Sequence, residues 1–116
     1  MRSSLLPRLR VQLGDDIALG PGRIELLDLI HQTGSITKAA KRMGMSYMRA
    51  WSLIRDTNKC FRTPLILAVR GGKKGGGGAQ LSPAGVKVLA LYQSMHAKCL
   101  KSTRAEWLKL QKLLVG

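Results

Sequence analysis

Two glycine and serine boundaries in the middle of the chain constrain its fold more than any other feature. Gly34 is followed by Ser35, and Gly44 by Met45 and Ser46. In each case the glycine suits the left-handed conformation of a helix stop or sharp turn, and the serine suits the N-cap of the helix that follows. Between them Ile36, Ala39, Ala40 and Met43 form a short apolar stripe, which predicts a short helix over 35–43. Upstream, Pro21 opens a helix over 23–31 that buries Ile24, Leu27 and Ile30 and ends at Gly34. Downstream of Ser46 a third helix runs from Tyr47 to about Lys59, with Ala50, Leu53, Ile54 and Thr57 on its inner face. That leaves Tyr47, Met48, Arg49, Ser52, Arg55 and Lys59 outward or at the edge, a polar and cationic surface.

The flanks read as strands and a long helix. Leu9, Val11 and Leu13 alternate with polar residues, the period-two signature of a half-buried strand over 8–13. After Thr63-Pro64, the branched run Leu65 to Val69 predicts a second strand, and Ala79 to Ser82 its return. The glycine tract from Gly71 to Gly78 forms the tip between them. Ser82-Pro83 starts a long helix carrying Val86, Leu89, Tyr92 or Gln93, His96 and Leu100 at helical spacing. Thr103-Arg-Ala-Glu106 fits a capping box just before Trp107, so a break and restart are expected there. The fold class is therefore mainly α with a small β-sheet (α+β): a winged helix-turn-helix with a long C-terminal helix. Residues 1–82 make up the DNA-binding part, and residues 83–116 a helical element of the same domain.

Charge narrows the partner. The 116 residues are one domain's worth, yet 20 Lys and Arg against six Asp and Glu leave a net charge of +14. From Ser35 to Lys74 ten cations meet one acid, Asp56. Solvated faces usually intersperse both signs, so this bias points to a polyanion, nucleic acid above all. No apolar run approaches the roughly 18 residues of a membrane span, and the N-terminus lacks a signal-peptide pattern, which leads us to expect a soluble cytoplasmic protein. Cys60 and Cys99 are too few for a disulfide framework and are expected to be reduced structural residues.

Two short helices around a glycine turn, with small residues such as Ala40 inside, match what a DNA-reading helix-turn-helix requires, although an ordinary helical hairpin shares the turn. In the DNA-reading case Ser46, Tyr47, Met48, Arg49, Ser52 and Arg55 belong to the recognition helix. Arg49 is suited to a bidentate contact with guanine, and Tyr47 to a phosphate or base. Ser35, Thr37, Lys38 and Lys41 from the first short helix, with Arg70, Lys73 and Lys74 from the glycine-rich hairpin, would hold the DNA backbone. The glycine tract fails as a phosphate-cradling P-loop, because Lys73 is followed by Lys74 and glycines rather than by Ser or Thr. As a hairpin tip it offers two cations on a backbone able to approach DNA closely, a wing; a plain linker is the bland alternative. His96 and Cys99 lie three apart on one helix, but two ligands are not a metal site, and core packing is the simpler role. No paired carboxylates or activated serine stand out, so neither a catalytic set nor a cofactor is expected.

Three segments resemble the N-terminal domain of the molybdate-responsive ModE regulators, whose helix-turn-helix is close to that of LysR-type regulators. They are Gly34 to Lys41, Met45 to Trp51, and Gly71 to Ser82, within a similarity covering roughly residues 8–100. The resemblance implies a winged helix that dimerises through its terminal helices and binds a palindromic operator. By position it places Ser46, Tyr47, Arg49 and Ser52 in the recognition helix and Lys73 and Lys74 in the wing, with Trp51 as a packed tryptophan. Full-length members carry C-terminal molybdate-binding modules; this chain stops soon after its long helix, so the resemblance does not extend to molybdate sensing. Leu100, Thr103, Trp107, Leu110 and Leu114 are spaced for a partner seam, or for folding back on their own domain. The function expected is a sequence-specific, dimeric transcriptional regulator acting on double-stranded DNA. The alternative is a non-specific architectural DNA- or RNA-binding protein whose affinity comes from charge.

Overall fold

A computed structural model describes residues 1–69 and 78–116. The expected tip of the glycine hairpin, with Arg70, Lys73 and Lys74, lies outside the described residues. In chain order the elements are β1 (Val11–Leu13), β2 (Asp16–Leu19), α1 (Pro21–Thr33), α2 (Ile36–Arg42), α3 (Tyr47–Lys59), β3 (Ile66–Val69), β4 (Gly78–Leu81), α4 (Pro83–Ser102) and α5 (Arg104–Gln111). They form two separate antiparallel hairpins, β1 with β2 and β3 with β4, around a helical core.

The boundaries of α1 to α3 follow local chemistry. Pro21 stands in the first turn of α1, and Gly34 closes it with φ +67°, its N–H donating to the Ile30 carbonyl at 2.8 Å. Ser35 Oγ accepts from the Lys38 N–H and Ser46 Oγ from the Arg49 N–H, each at 3.1 Å. Gly44, also at φ +67°, supplies the turn between α2 and α3. Leu26, Leu27, Ile30, Ile36, Ile54 and Leu65 are fully buried. Each contributes about 1.5–3 kcal/mol by leaving water. Leu26 rather than Ile24 joins Leu27 and Ile30 in the core; Ile24 is half-buried. The reason is that α1 touches α2, α3, α4, β2 and β4, so more than a single stripe is covered.

The single strand expected over 8–13 is instead the first arm of a hairpin. Gly14, at φ +60°, and Asp15 form a two-residue loop with glycine first, the composition a type II′ turn favours. Leu13 pairs with Asp16 beside that loop and is 53% exposed, whereas Ala18 and Leu19 of β2 face the core. Arg23 of α1 holds β2 by donating to the Ile17 and Ala18 carbonyls.

Ser82 ties the second hairpin to α4. Its hydroxyl donates to the Pro64 carbonyl at 2.6 Å and accepts from the Gly85 N–H at 3.1 Å, while its own N–H donates to the Leu65 carbonyl. Along α4, Leu89 and Tyr92 are buried, but Val86 and Leu100, expected on the same inner stripe, are exposed; the buried stripe runs instead through Gly85, Leu89 and Tyr92. Tyr92 donates to the Leu9 carbonyl at 2.6 Å, which pins the N-terminal segment against α4. Helix α5 does begin after Thr103, yet no capping box forms: the Thr103 hydroxyl donates back to the Cys99 carbonyl at 2.6 Å instead of capping α5. At the far end Gln111 reaches Ser3 at 3.0 Å. No helix among the described residues is long and apolar enough to cross a membrane.

Candidate nucleic-acid interface

Helix α3 buries Ala50, Ile54 and Thr57, which turns Met48, Ser52 and Arg55 to the opposite side. Met48 is 70% exposed and Arg55 exposed, while Ser52 is half-buried between them. Tyr47 and Trp51 occupy one edge, their rings edge-on with centroids 6.3 Å apart and planes at 82°. The half-buried Trp51 supports the exposed Tyr47 ring in this way. Arg49 is exposed on the other edge, one turn before the half-buried Leu53. Ser46 stands at the helix start, where its oxygen caps the Arg49 N–H and its hydroxyl proton is left to donate outward.

Of the expected backbone-holding residues, Ser35 caps α2, and Thr37, Lys38 and Lys41 are exposed on that helix. The structure therefore brings the start of α2 and the start and free face of α3 together across the Gly44 turn. Asp56 is the only acid between Ser35 and Lys59, so this surface is strongly electropositive.

The base of the second hairpin is fixed to both ends of this unit. Ser35 bridges Gly78, and the Ala79 N–H donates to the Gly34 carbonyl at 3.1 Å. At the other end Asn58, in the last turn of α3, grips β3: its Oδ1 accepts from the Leu65 and Ile66 N–H groups at 2.9 and 3.1 Å, and its Nδ2 donates to the Ile66 carbonyl at 3.0 Å. Sequence reading missed Asn58. Its only signal was a polar residue one position after the buried Thr57, and its partners lie seven and eight residues away across an irregular turn.

Elsewhere, Cys60 and Cys99 are half-buried free thiols, and the Cys60 thiol donates to the Asp56 carbonyl at 3.5 Å. His96 lines a cavity with Pro7, Pro21, Ile24, Tyr92 and Gln93, and no group of three metal-ligating side chains occurs among the described residues. Burial pushes the Tyr92 hydroxyl above the ordinary tyrosine value of 10.0, which keeps it a donor.

The bacterial regulatory helix-turn-helix protein, lysR family, matches residues 22–86, which run from the start of α1 through the second hairpin into α4. The chain is 42% identical over 83 residues to the molybdenum-pterin-binding protein MopB of Rhodobacter capsulatus, covering 72% of this chain and 30% of the relative. It is 41% identical over 93 residues to the molybdenum transport protein ModE of Herbaspirillum seropedicae, covering 78% and 34%. It is 38% identical over 92 residues to the DNA-binding transcriptional dual regulator ModE of Escherichia coli K12, covering 79% and 34%. The chain thus spans about a third of the length of the curated relatives it matches. With more than half of its residues matched, and the two capped helices around Gly44 at the centre of the match, the chain belongs to the LysR family of bacterial regulatory helix-turn-helix proteins.

Proposed function

We propose that this protein is a sequence-specific, DNA-binding transcriptional regulator of the molybdenum-linked type to which its relatives belong. One observation carries the reading: an outward α3 face of exposed Met48 and Arg55 with half-buried Ser52, bounded by Tyr47 and Arg49, stands beside the capped start of a second cationic helix. A helix of this kind enters the major groove, where Arg49 and Arg55 can donate to guanine and Met48 can lie against a thymine methyl group. Ser46 and Tyr47 reach base or phosphate at the groove edge. Ser35, Thr37, Lys38 and Lys41 hold the backbone, as do Arg70, Lys73 and Lys74 of the wing.

The C-terminal element over residues 83–116 acts as the dimerisation unit. Exposed Leu100, Leu110 and Leu114, with the half-buried Trp107, supply an apolar surface for a second copy, and a two-fold dimer calls for a palindromic operator. The protein works where DNA is, in the cytoplasm, and no step in this reading is catalytic. The relatives' names speak of molybdenum; the roles assigned here require only DNA.

Selection of a preferred duplex from random sequence, followed by competition against random DNA at physiological salt, tests the reading. A large affinity ratio that Arg55→Ala and Met48→Ala both reduce is the expected result. Equal affinity for selected and random duplexes would favour the non-specific binder and refute sequence-specific regulation. Light scattering at micromolar concentration tests the dimer, against which a clean monomer mass would count.

A further inference from the structure

A further group of cations gathers beside the helix-turn-helix, and sequence reading assigned no role to two of its members, Arg10 and Arg23. A cleft of about 490 Å³ opens between the start of α1 and the α2–α3 turn, and Arg10, Arg23 and Arg49 all line it. These arginines come from the segment before β1, the first turn of α1 and the first turn of α3. The lining contains no carboxylate; its other residues are apolar or glycine. Arg23 is anchored through the β2 carbonyls, whereas Arg10 and Arg49 are exposed. The floor includes Gly20, Pro21 and Gly22, so little side chain separates the arginines from the α1 backbone. The first helical bond there runs from the Ile24 N–H to the Gly20 carbonyl, which leaves the Gly22 and Arg23 N–H groups without an intrahelical acceptor.

We infer that this cleft seats a phosphate of the DNA backbone on the flank of the bases read by α3, extending the footprint beyond the helix-turn-helix and the wing. The inference rests on the proposed DNA-binding function. Arg49 links the two: it stands on the recognition helix and lines the cleft, so DNA lying along α3 would run beside the cleft mouth, where Arg10 and the α1 N–H groups are left to meet a phosphate while Arg49 reads a base. A phosphodiester is the ligand whose chemistry matches, an anion with spare acceptor oxygens meeting arginines in a cleft whose own lining holds no acid; Arg23 also lines a neighbouring cavity with Asp16 and Asp56, which leaves Arg10 and Arg49 as the freer cations. Met45 and Leu53 give the recess apolar walls, which lower local screening and favour ion pairing with a phosphate.

Gly22→Glu is the informative variant. A Cβ at Gly22 meets no atom within 4 Å, and its backbone is not in the left-handed region, so a side chain fits. A carboxylate in the first turn of α1 should hold or raise the melting temperature, because it complements the helix dipole, while opposing a phosphate in the cleft. Gly22→Glu and Arg10→Gln are each expected to weaken binding of the selected duplex by about tenfold near 0.1 M salt. Each should make the log–log salt dependence shallower by about 0.9, the share of one phosphate. Scanning the duplex with neutral methylphosphonates should find a flanking position whose neutralisation weakens the wild type but not Arg10→Gln.

Wild-type affinity and salt slope in both variants, with Met48→Ala still impaired, would overturn the phosphate seat and leave the DNA-binding reading standing. Absence of duplex binding by the wild type would overturn both. If inorganic phosphate stabilises the wild type but not Gly22→Glu, and duplex binding is equal in the two, the cleft takes a free oxyanion and the inference fails.

Discussion

Replacing Asn58 by alanine should loosen the second hairpin from the recognition helix while leaving the core intact. The substitution removes three hydrogen bonds, two accepted from the Leu65 and Ile66 N–H groups and one donated to the Ile66 carbonyl. Each such bond contributes about 0.5–1.5 kcal/mol net. Asn58 is only half-buried, so water can reach part of what is left unpaired, and the lower half of the range applies. The expected destabilisation is about 2 kcal/mol, a fall of about 8 °C in melting temperature for a domain of this size. Urea denaturation should show a lower midpoint with an unchanged slope. Hydrogen exchange should accelerate at Leu65 and Ile66 more than at Leu26 or Ile30, which lie in the buried centre. Asn58→Asp keeps the acceptor for both N–H groups but loses the donor, so its loss should be smaller, about 1 kcal/mol. A melting temperature within a degree of wild type in Asn58→Ala, with unchanged exchange at Leu65 and Ile66, would refute the idea that this side chain couples α3 to β3.

Gly85→Ala should be among the most damaging single-methyl changes, because the added Cβ would lie 2.2 Å from the Leu65 carbonyl oxygen, a backbone atom that cannot swing away. A loss of about 3 kcal/mol is expected, measured by urea denaturation; a near-neutral result would mean that α4 can shift on the second hairpin. Tyr92→Phe should cost about 1 kcal/mol at neutral pH by leaving the part-buried Leu9 carbonyl without its donor. Because burial raises the folded-state value of Tyr92 above 10.0, its neutral form stabilises the fold below that pH, and the benefit is lost as pH rises through the folded value. Tyr92→Phe should therefore lose stability less steeply than wild type above pH 10, and parallel curves would contradict this. Ser35→Ala and Ser46→Ala should each cost about 1 kcal/mol through loss of an N-cap, read by thermal melting.

The local grammar of the chain was legible from its residues. Gly34, Ser35, Gly44 and Ser46 set the limits of α1, α2 and α3, because a cap or a left-handed turn acts within about four residues. Leu65 to Val69 and Ala79 to Ser82 located the second hairpin to within a residue at each described end. The first hairpin was half missed: Gly14-Asp15 is itself a turn signal, but Asp16 to Leu19 is too short and mixed to register as a strand without its partner. Thr103 matched a capping box by sequence, yet its hydroxyl found the Cys99 carbonyl first, since the long helix already presented that acceptor.

The sequence alone thus determined two short capped helices with a cationic outer face and a hairpin following them. Tertiary packing decided how those parts are joined. Asn58 meets β3, Gly85 meets Leu65, and Tyr92 meets Leu9 across 83 positions because of the way the elements pack around Leu27, Ile30 and Ile54. Arg10, Arg23 and Arg49 gather in one cleft for the same reason. Capping and periodicity are encoded between near neighbours, whereas these contacts depend on how helices and hairpins stack, which no local pattern in the chain records.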